Sequence, residues 1–180
     1  MRRSVTPIIL ARTHARTHAR PSERRLQHNG AVSFGSAAAR RGRRPRADAP
    51  CPCGSGGTVG SCCGPVLDGT PAATAEQLMR SRFTAFALGD RTHLEATWHP
   101  ATRPDVVQLD PDLRWRRLTI HGGHGGGPGD PDARVVFTAD WVHCVTGRTG
   151  ALHEDSRFVR RAGRWWYVEA AADRSAGTSR

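Results

Sequence analysis

The chain has 180 residues, enough for one ordinary domain and an appendage, and its net charge is +11 with all 27 basic residues being arginine. A charge that high would suggest a nucleic acid or an anionic surface as partner, but its distribution argues otherwise. Residues 1–47 hold twelve arginines and one acid, Glu23, whereas residues 48–180 hold fifteen of each and are neutral.

No run approaches the ~20 apolar residues of a membrane helix. The short apolar stretch Ile8-Ile9-Leu10 behind Arg2-Arg3 gives way to Arg12, too soon for a secretory signal. A cytoplasmic protein without a membrane partner is expected. Residues 1–47 contain the repeat Ala11-Arg12-Thr13-His14, Ala15-Arg16-Thr17-His18, and are poor in large apolar groups, so a disordered basic tail is expected there. Such a tail reads either as an arm for RNA or as translation from an upstream start codon. Phe34 is the only aromatic residue in it, and stacking on bases calls for more, so nucleic acid is not the expected partner.

Residues 48–66 carry the strongest signal. Cys51, Cys53, Cys62 and Cys63 fall within thirteen residues as C-x-C, eight residues, then C-C. The eight between are Gly, Ser, Thr and Val, which cannot build a core but can fold back so that the two pairs face each other. Four thiolates suit Zn²⁺ in a closed tetrahedral site. A disulfide is disfavoured in a reducing cytosol, and the C-x-x-C spacing of redox pairs is absent. Gly54, Gly56 and Gly64 are expected to supply positive φ angles, and Pro52 to stiffen the first ligand pair.

Pro65–Pro71 reads as a linker. Thr74-x-x-Gln77 forms a capping box for a helix to about Leu88, whose Leu78, Met79, Phe83 and Phe86 recur at helical spacing. Gly89 ends it, and Asp90 caps a second helix through about Trp98. Beyond a proline-rich loop the period becomes two. Strands are predicted over 114–121, 134–144, 151–161 and 164–170, with Gly122–Asp132 as a flexible hairpin loop. The first strand places Trp115, Arg117 and Thr119 opposite Arg116, Leu118 and Ile120. The third groups Leu152, Glu154, Ser156 and Phe158, and the fourth groups Trp165, Tyr167 and Glu169. Two helices followed by an antiparallel meander make an α+β domain over residues 72–172, with 173–180 as a disordered C-terminus.

The run Cys51–Gly64 resembles the SEC-C zinc motif at the C-terminus of the SecA translocation ATPase, with Gly57, Thr58 and Gly60 where that motif is lysine-rich. Together with Leu78-Met79-Arg80-Ser81-Arg82-Phe83, Thr97-Trp98-His99-Pro100, Leu152-His153-Glu154 and Gly163-x-Trp165-x-Tyr167, the chain resembles the YchJ-like family of bacterial proteins over about residues 50–170. That resemblance implies a cystatin-like, nuclear-transport-factor-2-like fold, in which a curved antiparallel sheet wraps helices around a conical pocket. It implies no particular reaction.

Within the globular part, polar residues on an apolar face are the ones to explain. Glu154 heads them, with Arg82 as partner. One reading is a ligand or enzyme-like pocket with Glu154 as base, Arg82 as anion clamp, Trp98 and Trp115 as walls, and Ser156 and Tyr167 nearby. The other is a structural Arg–Glu pair in a tryptophan-rich core, since one carboxylate without a companion base is thin for catalysis. Cys144 reads as a small apolar filler, and the histidines lack paired metal spacing. The expected function is a zinc-stabilised interaction module that docks a protein partner through its knuckle, with the pocket and RNA readings as alternatives.

Overall fold

The structure, a computed structural model, describes residues 44–171. All but the last four residues of the basic tail, and the whole 173–180 segment, lie outside the described residues. Three helices, α1 (Cys63–Leu67), α2 (Ala75–Leu88) and α3 (Arg91–Ala96), precede four strands, β1 (Leu113–Gly125), β2 (Asp132–His143), β3 (Thr149–Arg161) and β4 (Arg164–Ala170). The strands form one antiparallel sheet in the order β1-β2-β3-β4, and α2 packs across one face of it.

The caps act as their residue types dictate. Thr74 Oγ1 accepts from Gln77 N at 3.0 Å, and Gln77 Oε1 accepts in return from Ala73 N at 2.6 Å, one residue earlier than a standard capping box. Gly89 closes α2 at φ +69°, and the Asp90 carboxylate then accepts from His93 N to start α3. Helix α3 stops at Ala96, short of the Trp98 expected. Thr97 leaves it because its Oγ1 turns back to His93 O at 2.7 Å, while its own carbonyl accepts from Tyr167 N of β4. His99 N donates to Tyr167 O at 2.7 Å, so residues 97–99 run as a short parallel partner along the β4 edge.

Several expectations need correction. Pro65–Pro71 is not all linker, because its first three residues belong to α1, which opens at the last two cysteines of the cluster. Gly122–Gly125 is strand, not loop, paired with Ala133–Val136. Gly123 there is a packing requirement: a Cβ on it would overlap the Arg134 carbonyl. A bulge at Arg116 breaks the alternation of β1, so Trp115 joins Leu118 and Ile120 on the helix-facing side, where it packs on Phe83 at 6.2 Å and Phe86 at 5.9 Å between ring centroids. A bulge at Val168 on β4 buries that residue and turns Glu169 out, opposite Arg157 on β3. The inward set on β3 is as the alternation predicts: Glu154, Ser156 and Phe158 are buried and Leu152 packs against the core.

Candidate functional site

The cluster Cys51–Cys63 is folded by its own backbone. Pro50 and Thr58 form an antiparallel bridge, Cys51 N donates to Gly57 O at 2.9 Å, and Gly54 N returns to Cys51 O at 3.0 Å. The second pair is set by Val59, whose carbonyl accepts from both Cys62 N and Gly64 N. Gly54 and Gly56 take the left-handed conformation at φ +71° and +85°. Gly64 does not. It lies in α1, and a Cβ there would sit 2.5 Å from the Val59 carbonyl oxygen, so close approach is what requires glycine.

This folding brings the four sulfurs within 4.8 Å of one another. Cys53 and Cys62 are 3.5 Å apart and Cys62 and Cys63 3.8 Å, while all five cysteines are free thiols. A disulfide needs about 2.05 Å between sulfurs. A tetrahedron with metal–sulfur bonds of ~2.3 Å has edges of about 3.8 Å, and the observed spacing fits it. Cys51, Cys53 and Cys63 are buried and Cys62 is half-buried. Hydrogen bonding from the Cys63 thiol brings Cys53 down to about 4 against the cost of burial, while Cys63 moves up in return and burial raises Cys62.

The surroundings of the sulfurs come largely from α2, which lies outside the cysteine motif. Thr84 is fully buried and its hydroxyl has no partner meeting ordinary hydrogen-bond geometry, yet it faces the Cys63 sulfur and favours its thiolate form. One turn earlier, Arg80 places Nη1 3.3 Å from the Cys53 carbonyl, with its charge beside the Cys53 thiolate. Ser55 Oγ lies 3.2 Å from the Cys62 sulfur. A buried hydroxyl left without a partner by the protein, a guanidinium, and four convergent thiols are what a thiolate-bound cation asks of its surroundings. The cysteine pattern is legible in the sequence. Thr84 and Arg80 are not, since nothing but their i, i+4 spacing on one helix places them together.

The six predicted pocket residues all lie on or against the helix-facing side of the sheet. Arg82 is 2% exposed and is stacked between two rings, its guanidinium carbon 5.0 Å from the Trp98 centroid and 4.3 Å from that of Tyr167. Its Nη1 donates to Leu94 O and Thr97 Oγ1, each at 2.9 Å. Glu154 is bound elsewhere: its Oε1 accepts from Ser156 Oγ at 2.5 Å and from the Tyr167 hydroxyl at 3.1 Å. Among the described residues no ion pair joins Arg82 to Glu154, and Tyr167 stands between them instead. Burial lowers the Arg82 pKa to about 10, which leaves it charged at neutral pH, and burial followed by the Glu154 charge raises that of Tyr167. Trp115 sits apart, against Phe83 and Phe86.

One further residue departs from expectation. Cys144 is exposed beyond the end of β2 and fills no core. His121 and His153, far apart in sequence, meet on the outer face of the sheet with ring centroids 5.5 Å apart, both bonded to Thr138 Oγ1. Among the described residues no helix is long and apolar enough to cross a membrane.

Comparison with known proteins agrees with this architecture. Residues 74–170 match the family described as YchJ, middle NTF2-like domain. A UPF0225 protein of Chromobacterium violaceum is 45% identical over 131 residues, covering 69% of this chain and 94% of its own, and one of Streptomyces coelicolor is 46% identical over 121 residues, covering 67% and 93%. The solution structure of a SEC-C motif containing protein from Rhodopseudomonas palustris aligns with a TM-score of 0.58 at 32% identity, covering 68% of this chain and 98% of that one. A crystal structure of a SEC-C motif containing protein from Psychrobacter arcticus aligns with a TM-score of 0.52 at 25% identity, covering 72% and 83%. With a four-cysteine cluster able to hold a metal ion directly ahead of an NTF2-like domain, the chain belongs to the YchJ-like, UPF0225 family of SEC-C motif proteins.

Proposed function

We propose that Cys51, Cys53, Cys62 and Cys63 hold Zn²⁺ as a structural ion and that the loop around it docks a protein partner, so that the chain works as an interaction or adaptor module. The observation that carries this reading is the convergence of four thiols within 4.8 Å of one another, two of the spacings, 3.5 and 3.8 Å, being close to the edge of a tetrahedral thiolate site. With all four positions filled by protein, no coordination site is left for water or substrate, which speaks for a structural rather than a catalytic ion. Tetrahedral sulfur ligation serves iron as well as zinc, so the metal is tested directly. Elemental analysis of protein purified without added metal should give one zinc per chain. Iron in its place, or no metal with freely titratable thiols, would overturn the reading.

The loop offers its partner an uncharged surface: Gly54, Ser55, Gly56, Gly60 and Ser61 are exposed. A capture experiment should use wild type, the Cys62→Ser, Cys63→Ser double variant, and Ser61→Glu, which leaves the ligands intact. A partner retained by both variants would show that the knuckle is not the docking element.

A second reading places a small-molecule or enzyme-like pocket at Glu154 and Arg82, supported by the burial of both groups on the helix-facing side. Glu154→Gln separates the two. If it only lowers stability, and no compound contacts residue 154 in a ligand-soaked crystal, Glu154 is structural. The RNA reading rests on a tail outside the described residues, and deletion of residues 1–47 tests it.

A further inference from the structure

Helix α3 contributes His93 to a groove that the cysteine centre does not touch. The groove lies between the α1–α2 connection, α3 and the start of β4, and encloses about 200 Å³. His93 is 6% exposed. Its tautomer follows from its neighbour. Ser81 Oγ donates its single proton to Leu78 O at 2.8 Å. With that proton on Leu78, the 3.0 Å contact between Ser81 Oγ and His93 Nε2 has Nε2 as the donor. Nδ1 is then left with a lone pair and has no hydrogen-bond partner among the described residues. His93 is among the residues that line the groove. Burial first, and then the charge of Arg82, brings the imidazole pKa down to about 4, so the ring is neutral under ordinary conditions.

The charged residues of the groove are already engaged. Asp68 pairs with Arg44, Asp90 caps the His93 amide, and the Arg164 guanidinium lies 5.1 Å from the centroid of Trp166. A charged ligand would have to displace one of them. The volume is below the roughly 300–1,000 Å³ of sites for drug-sized molecules and suits about ten non-hydrogen atoms.

We propose that this groove binds a small neutral molecule that donates an N–H or O–H hydrogen bond to His93 Nδ1 and lays an apolar ring against Leu67, Pro71 and Ala96. The proposal is independent of which metal the cysteines hold. Indole is a suitable probe, because 1-methylindole has nearly the same shape without the donor.

The test is titration of the full-length, metal-loaded protein with each compound, followed by the ring ¹⁵N resonances of His93 and by calorimetry. Nδ1 should resonate as an unprotonated nitrogen and shift on addition of indole. Indole should bind about tenfold more tightly than 1-methylindole, the worth of one hydrogen bond to a buried acceptor. His93→Gln, which keeps an N–H for Ser81, should erase that difference. Ala96→Leu, which fills the groove from an exposed helix position, should abolish binding with an unchanged melting temperature. A protonated Nδ1, equal affinity for the two compounds, no saturable indole binding at millimolar concentration, or wild-type binding by Ala96→Leu would each overturn the proposal.

Discussion

The Arg82 guanidinium carbon lies 4.3 Å from the centroid of the Tyr167 ring, and the hydroxyl of that ring donates to Glu154 at 3.1 Å. The two opposite charges of the inner face are thus joined through an aromatic ring rather than by a direct ion pair. The ring face attracts the cation, and the carboxylate at its far end strengthens the phenol as a donor. Arg82→Ala should destabilise the domain by about 3–5 kcal/mol, since it opens a cavity and removes the guanidinium donor from the Leu94 carbonyl and Thr97 Oγ1. Arg82→Met, which refills the volume, should recover more than half of that, and Tyr167→Phe should cost about 1–2 kcal/mol. Urea titration monitored by tryptophan fluorescence reads all three.

Removal of the metal should affect the whole domain. Cys51, Cys53 and Cys63 belong to the same buried cluster as Leu78, Phe83 and Phe137, so the centre is part of the core and not a separate bead ahead of it. Chelation should lower the melting temperature by about 10–20 °C with loss of strand signal, on the basis of several kcal/mol of linked stability. If hydrogen exchange instead rises only across residues 51–64 while β1–β4 stay protected, the centre and the domain are uncoupled.

Thr84→Val should weaken metal binding by about tenfold, as loss of a polar group that faces a ligand does. The metal-free variant should melt with the metal-free wild type. Competition against a chromophoric chelator measures the first, and the second separates a role at sulfur from a role in packing.

Gly64→Ala should cost metal occupancy for a different reason. The added methyl would meet the Val59 carbonyl that positions both Cys62 and Gly64. Metal content per chain after purification is the readout, and wild-type content would show that the loop relaxes around the methyl.

The pH dependence of stability should carry the mark of His93. Its folded pKa, about 4, lies below the unfolded value of 6.5, so between these the unfolded chain binds more protons. Stability therefore falls as pH drops from about 6.5 toward 4, by up to about 3 kcal/mol. Arg82 and Arg44 add to the depression and Asp90 opposes it. His93→Gln should show a flatter acid limb than wild type. Comparing the two isolates the imidazole from acid release of the metal, which both proteins share.

Local chemistry made much of this legible in the sequence. Thr74 and Gln77, Gly89 and Asp90 mark helix ends because their side chains or φ angles act within a few residues. The cysteine spacing foretells a site because thiols have few other reasons to gather. The bulges at Arg116 and Val168 were not legible, since an extra residue in a strand is fixed by pairing with its neighbour and leaves alternation as the only visible guide. For the same reason alternation alone puts Trp115 and Glu169 on the wrong faces. The strand character of Gly122–Gly125 depends on the β2 backbone beside it, and the environment of the sulfurs depends on where α2 packs.

The segment Thr97–His99 runs along β4 and occupies the outer hydrogen-bonding edge of the sheet at Tyr167. At the opposite margin the turn at Gly54 faces the Leu118 carbonyl of β1. An open strand edge is a template for another chain. An ion held by the four cysteines would, in fixing the Gly54 turn, also shield part of β1, and a chain stripped of it would be exposed to self-association before it is fully unfolded.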